Sequence, residues 1–193
     1  MRITKAIWNY FGQTQPVFTR VLHLAILLLT ISQLITSDFV DIEAANLTGG
    51  GLVLGLGTWA HVAPGLILVV ITSVFTLIVL VRHGLKYFFP YVWGEFSPLT
   101  ADVKQLVAFK LPDIAPGGIA AIVQGLGLGA MALTLASGLM WFLLMRTGSG
   151  MAHTAIEAHE TFTGLVVAYL IGHGGIGILH MIPWIRGNMK SNR

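Results

Sequence analysis

The chain has 193 residues, of which 55% are hydrophobic and only 10% are charged. Soluble domains average about 25% charged residues, so this composition predicts a membrane protein. The absence of cysteine excludes disulfides, zinc–thiolate sites, cysteine-held iron–sulfur clusters and covalent attachment of a c-type haem. The net charge of +3 comes from basic residues at the ends of apolar runs rather than from a basic patch, so no nucleic-acid partner is expected.

Four apolar stretches are long enough to cross the hydrocarbon core of a bilayer, which takes about 20 helical residues. They cover approximately residues 18–37, 60–82, 119–145 and 158–183. The first is too long and begins too late to be a cleaved signal peptide. Since no repeat or soluble domain interrupts the pattern, the sequence predicts a single all-α domain over residues 1–193, an integral membrane four-helix bundle.

The basic residues are distributed unevenly about the four spans. Ten of the eleven precede span 1, separate spans 2 and 3 or follow span 4, namely Arg2, Lys5, Arg20, Arg82, Lys86, Lys104, Lys110, Arg186, Lys190 and Arg193. The opposite side carries only Arg146, together with Asp38, Asp41, Glu43, Glu157 and Glu160. The positive-inside rule therefore predicts that both termini are cytoplasmic. The loop between spans 2 and 3 contains four prolines and is expected to lie along the membrane surface.

Ionisable residues within the spans are nearly all histidines, and such residues mark functional sites in membranes. With a rise of about 1.5 Å per residue, His61 and His159 lie near the outer face, whereas His23 and His173 lie about 21–22 Å deeper. Fourteen residues separate His159 from His173 in the sequence. On a helix this spacing places both side chains on one face of span 4, within about 40° of each other around the helix axis. The four histidines therefore form two level pairs, each of which joins span 4 to another helix.

Two level histidines on facing helices suit a bis-histidine haem, because neutral imidazole nitrogens fill the two axial positions of its iron. Zinc suits the pattern less well, since it favours four ligands at one level. Any one of these histidines could instead be a hydrogen-bonded interior or interfacial residue. The joint pattern of two level pairs favours haem.

Glycines surround His173 in span 4, at Gly172, Gly174, Gly175 and Gly177. They either leave room for a haem or allow close helix packing, and the sequence does not decide between these roles. Their G-x-G-x-x-G pattern lies within a span rather than after a strand, which argues against a dinucleotide-binding loop.

Span 3 contains a second glycine pattern, the G-x-x-x-G formed by Gly125 and Gly129. Small residues at this spacing allow two helices to approach closely, so helix packing is the predicted role.

The histidine pattern resembles the bacterial cytochrome b561 and nickel-hydrogenase cytochrome b family. The resemblance covers most of the chain and rests on R-x-x-H at Arg20 and His23, on His61 opening span 2, and on the H-x13-H spacing from the H-E dipeptide at His159 to His173. The family is a four-helix membrane bundle that holds two b-type haems and exchanges electrons with a quinone pool. The resemblance implies that these four histidines are the axial haem ligands and that the protein lies in the bacterial cytoplasmic membrane.

His83 and His180 form a third level pair, because His180 lies about 10 Å beyond His173 and His83 ends span 2. Their role stays open among a third haem, a quinone pocket that supplies protons, and anchoring at the interface. Arg20, one turn before His23, is a candidate partner for a haem propionate or a cytoplasmic anchor.

The sequence thus predicts a di-haem membrane cytochrome b that transfers electrons between a periplasmic redox partner and the membrane quinone pool. The partner would be a c-type cytochrome or a hydrogenase-like or dehydrogenase subunit, and a homodimer is compatible with the sequence. A second hypothesis is a stand-alone enzyme that oxidises a small periplasmic reductant such as superoxide and reduces quinone. A third, of another class, is a haem-free transporter or anchor subunit, which would favour broken helices and histidines without level partners.

Overall fold

The computed structural model describes residues 3–40 and 55–191, and in these residues the chain is 84% helical with no strand. The long helices are α2 (Val17–Thr36), α3 (Leu56–His83), α6 (Ile119–Arg146) and α7 (Ala152–Ser191), and the shorter ones are α1 (Ile3–Phe11), α4 (Leu85–Phe88) and α5 (Ser97–Val107). Two 3-10 turns cover Ser37–Phe39 and Pro90–Trp93. The predicted all-α fold is confirmed. Arg2, Asp41, Glu43 and Arg193, which entered the topology prediction, lie outside the described residues.

The four long helices are apolar and long enough to cross a membrane, as predicted. Their surfaces expose large apolar side chains such as Leu28, Leu77 and Ile171, which lipid tails would solvate. The chain is therefore a multi-pass membrane protein. Helix α7 begins before the predicted residue 158 and continues past Pro183, because a proline removes one backbone donor without forbidding the helix that follows it.

The chain divides into two compact units. The first comprises Met1–Val17, Leu77–Gly129 and Leu165–Arg193, and the second comprises Phe18–Thr76 and Ala130–Gly164. In the first unit, Phe88 is almost completely buried and packs against Gly125, where a Cβ would lie 2.8 Å from the Phe88 Cβ. The predicted close packing is therefore present at Gly125. A Cβ at Gly129 would meet no described atom within 4 Å, so Gly129 makes no such contact.

The segment between α3 and α6 is ordered by contacts to the start of α6, which the sequence did not predict. The buried Asp102 carboxylate accepts a hydrogen bond of 2.8 Å from the backbone N–H of Ile119 and so caps α6. Gly118 lies against the same carboxylate, and Gly117 adopts a left-handed conformation with a φ of 71°. Helix α5 is thereby fixed to α6 within the first unit.

The second unit has an apolar core next to two of the predicted ligands. Its buried members are Val62, Trp141, Met145, Ala152, Ala155 and Ile156. Val62 follows His61 on α3, and Ile156 precedes His159 by one turn on α7. The core therefore packs directly against the stretches of α3 and α7 that carry the outer pair.

Candidate functional site

His61 and His159 lie together in the second unit, as their predicted depth required. His61 is five residues into α3 and His159 is seven residues into α7, so the two rings lie about 8 and 11 Å from the starts of their helices. Both side chains are half-buried. The centres of the two rings are 6.3 Å apart, and the ring planes are at 89° to one another.

The His159 ring is held by α6. Its Nδ1 lies 2.8 Å from the backbone carbonyl oxygen of Thr134, and a carbonyl only accepts, so Nδ1–H is the donor. One helical turn later, Gly138 leaves this carbonyl accessible, because a Cβ there would lie 2.8 Å from both Cε1 and Nδ1 of His159. Gly138 is therefore required for the ring to reach its acceptor.

The His61 ring is held by α2 in a similar way. Its Nδ1 lies 3.2 Å from the Thr36 hydroxyl, whose own proton is donated to the Ser32 carbonyl at 2.8 Å. Because that proton is already used, the hydroxyl oxygen accepts from Nδ1–H of His61. Both histidines thus carry their proton on Nδ1, which leaves the lone pair of Nε2 on each ring for a metal.

The separation of the two rings matches a shared metal ion. A histidine nitrogen lies about 2 Å from a bound transition metal and about 1.1 Å from its own ring centre, which puts two axial rings about 6 Å apart, centre to centre. The observed distance is 6.3 Å. The perpendicular ring planes would also allow His61 and His159 to hold one iron, because the fit depends on the separation of the rings and not on the angle between their planes. The donor set therefore fits a bis-histidine haem.

The apolar core beside this pair contains an unsatisfied donor. Trp141 is 4% exposed, and its Nε1 has no hydrogen-bond partner among the described residues. A buried polar group without a partner is rare and costs free energy. Trp141 lies one turn after Gly138, towards the C-terminal end of α6. A haem carboxylate at this position would supply the missing acceptor.

The other predicted pair is divided between the units. His23 belongs to the second unit, where its half-buried ring lies 5.8 Å from that of Phe75. Arg20, one turn earlier on α2, is also half-buried. His173 belongs to the first unit and stacks on Tyr169, with ring centres 5.0 Å apart and planes at 18°.

Glycines near His173 have two different roles in the first unit. Gly127 on α6 packs against Tyr169, whose ring occupies the space of a Cβ, so this glycine positions the ring that stacks on His173. By contrast, a Cβ at Gly172, Gly174, Gly175 or Gly177 would meet no described atom within 4 Å. These four glycines therefore make no close helix–helix contact within the described residues.

His83 and His180 have different partners in the first unit. The His83 ring packs on Tyr87 at 4.8 Å, and burial raises the pKa of the Tyr87 hydroxyl. Both His180 nitrogens lie 3.0 Å from carbonyl oxygens, Nδ1 from that of Ile176 and Nε2 from that of Pro112. A neutral ring has one N–H, so only one of these carbonyls accepts a hydrogen bond from it, and a metal at either nitrogen would have to displace the carbonyl that faces that nitrogen.

Within the described residues, no group of three or more histidine, aspartate or glutamate side chains converges as a metal site. A haem iron needs only two such ligands, because the porphyrin nitrogens supply four others. No protein-family model, curated protein or solved structure matches the chain. The resemblance to the cytochrome b family stays a prediction.

Sequence reasoning missed the residues that position the two rings, namely Thr36, Thr134 and Gly138, and it missed the buried Trp141 in the neighbouring core. One feature could have indicated Gly138: it is a glycine in span 3 near the level predicted for His159. Nothing in the sequence distinguishes the Thr36 hydroxyl from the other hydroxyls of α2, because its role depends on how α2 packs beside α3.

Proposed function

We propose that the protein is a di-haem b-type membrane cytochrome that transfers electrons between a periplasmic redox partner and the membrane quinone pool. The observation that carries the proposal is the His61–His159 pair. Its two rings lie 6.3 Å apart, close to the separation expected for two histidines on one iron, and the Nδ1 of each ring is already hydrogen-bonded, so that Nε2 is the free nitrogen. When bound, haem iron supplies reversible one-electron chemistry.

The surrounding residues support this function by fixing the two ligands before a haem arrives. Thr36 and the Thr134 carbonyl set the Nδ1–H tautomer of each ring, and hydrogen bonds of this kind also raise the basicity of the ligating nitrogen. Gly138 allows the close approach of His159, and the buried Trp141 indole N–H lacks an acceptor that a haem carboxylate would supply. Each of these features prepares the pair for ligation.

The second haem is proposed from the sequence spacing of His23 and His173, with Arg20 beside it as the candidate propionate partner. The glycines Gly172, Gly174 and Gly175 would leave room for it on α7. Two haems about 20 Å apart along the helices would form an electron path across much of the bilayer. Both termini are proposed to be cytoplasmic, in the inner membrane of a bacterium.

The proposed partners follow from this path. Quinone would exchange electrons at one end, and a c-type cytochrome or a hydrogenase-like or dehydrogenase subunit at the other. His83 and His180 remain candidates for the quinone pocket, where a histidine can supply or take a proton.

The proposal is tested by counting haems in the purified protein with a pyridine haemochrome assay and reduced-minus-oxidised spectra. We expect b-type haem in the wild type, and we expect His61→Ala and His159→Ala each to lose the same haem. A chain that binds no haem would overturn the proposal. The same two variants losing different haems would show that the two histidines do not share an iron.

His153→Ala is a matched control for these variants. His153 is exposed and lies 3.5 Å from the Glu157 carboxylate on the same helix, so it is a histidine of α7 outside both pairs. We expect it to keep the wild-type haem content.

A further inference from the structure

Helix α5 ends in a backbone motif that normally requires glycine. The N–H of Lys110 donates to the carbonyl of Gln105 at 2.9 Å, and that of Phe109 donates to Leu106 at 2.9 Å. These two bonds define a Schellman motif, in which the residue at the position of Phe109 is left-handed and usually glycine. Phe109 has a φ of 55°, which a bulky side chain adopts only at a conformational cost.

No packing against the described residues compensates for this strain, because the Phe109 side chain is 100% exposed. It belongs to an exposed set that we call the apolar edge, made of Val103, Leu106, Val107, Phe109 and Leu111. Exposed large apolar side chains that are this close together in the sequence indicate an interaction surface. A bulky, fully exposed side chain at a strained position points to a contact made outside the chain.

The apolar edge is held rigidly at the end of two membrane spans. At one end, Asp102 binds the N–H of Ile119 at the start of α6. At the other, the Pro112 carbonyl oxygen lies 3.0 Å from Nε2 of His180 on α7. Both contacts lie within the first unit. Because α3 and α6 cross the bilayer, the segment that joins them must lie at its surface.

The charges beside the apolar edge indicate which partner covers it. Lys104 and Lys110 flank Phe109, and both are exposed. Lysines beside apolar side chains at a membrane surface extend towards lipid phosphates while their stems stay apolar. Basic residues in such a segment are attracted to anionic lipids.

We propose that the apolar edge inserts into the boundary between headgroups and acyl chains of an anionic lipid leaflet, with Phe109 as its deepest residue. Lys104 and Lys110 bind the headgroups. The segment between α3 and α6 is thus a membrane-inserted wedge, which is independent of whether the protein binds haem.

The absence of cysteine allows a direct test in the full chain. Phe109→Cys and, separately, Gln105→Cys are labelled with a nitroxide and reconstituted in vesicles of phosphatidylcholine and phosphatidylglycerol. Gln105 is the control, because it is exposed and lies about 160° around α5 from Val103. Collisions of each label with oxygen, which enters the hydrocarbon, are compared with collisions with a water-soluble nickel chelate.

We expect the ratio of oxygen to chelate collisions to be several-fold higher at position 109 than at position 105. Equal ratios would overturn the proposal, and so would a label at 109 shielded from both reagents, since that would indicate a protein partner or a second copy. Val107→Cys repeats the test without altering the left-handed position. We also expect Lys104→Gln with Lys110→Gln to lower the ratio at 109, and no change would refute the role of the lysines.

Discussion

Gly138→Ala tests whether His159 is held against α6 as a haem ligand. The new Cβ would lie 2.8 Å from both Cε1 and Nδ1 of the His159 ring. Since carbon atoms pack at about 3.5 Å, the ring must withdraw by about 0.7 Å. That movement stretches the bond of 2.8 Å between Nδ1 and the Thr134 carbonyl to about 3.5 Å, beyond hydrogen-bonding range.

The free-energy cost can be estimated from the two interactions that change. Overpacking costs about 1–3 kcal/mol and the lost hydrogen bond about 1 kcal/mol, whereas alanine returns up to about 1 kcal/mol in helix propensity. A net loss of about 1–3 kcal/mol corresponds to a roughly 5- to 150-fold lower affinity of the site for haem. We therefore expect Gly138→Ala to bind the haem of His61 and His159 more weakly and to retain less of it after purification than the wild type, while keeping the other.

Haem per chain and the reduced-minus-oxidised spectrum measure this effect. Gly129→Ala is the matched control, because it lies on the same helix and its Cβ would meet no described atom within 4 Å. We expect the control to keep the wild-type haem content. A Gly138→Ala protein with wild-type haem content and spectrum would refute the reasoning.

Three further substitutions test the hydrogen bond at His61, the buried indole of Trp141 and the cap of α6. Thr36→Val removes the acceptor of the His61 Nδ1–H, so this variant should release haem to an apoprotein acceptor about 10- to 100-fold faster than the wild type. Thr36→Ser keeps the hydroxyl and should restore the wild-type rate, and equal rates in the two variants would contradict this role of Thr36. Trp141→Phe removes an unsatisfied donor, so the haem-free protein should be as stable as the wild type or more stable. In the haem-bound protein the same substitution should lower the reduction potential of the haem, and an unchanged potential would argue against a contact between Trp141 and a haem carboxylate. Asp102→Ala should lower the unfolding midpoint, at a cost of about 1 kcal/mol for the lost cap of Ile119, with no change in haem content, and Asp102→Asn should recover most of the loss.

The fold was largely predictable because the bilayer imposes its own thickness on the sequence. Apolar length alone located all four spans, and the spacing along α3 and α7 predicted that His61 and His159 would lie at one level. The same reasoning did not find α1 or α5, since short helices at a membrane surface lack a long apolar run. It also began α7 too late and ended it too early, because the helix extends beyond the apolar stretch of residues 158–183 at both ends.

The finer chemistry of the site could not be predicted from periodicity. The tautomer of His61 depends on a hydroxyl of α2 that has already donated its proton, and the orientation of His159 depends on a glycine of α6. Such contacts arise from the rotation of each helix about its own axis, which spacing along a single helix does not determine. For the same reason the sequence could list His180 as a candidate ligand but could not show that both of its nitrogens face carbonyl oxygens.

Electron paramagnetic resonance of the oxidised, purified protein tests the central claim most directly. Two neutral imidazoles on one ferric iron would give a low-spin signal. Ring planes near the 89° between His61 and His159 would make that signal highly anisotropic, because two perpendicular imidazoles leave the iron d orbitals that they overlap almost equal in energy. We expect such a signal in the wild type and in His153→Ala, and we expect it to disappear in His61→Ala and His159→Ala. A protein without a low-spin haem signal, or one that keeps the anisotropic signal in either ligand variant, would contradict the assignment of His61 and His159 to one haem.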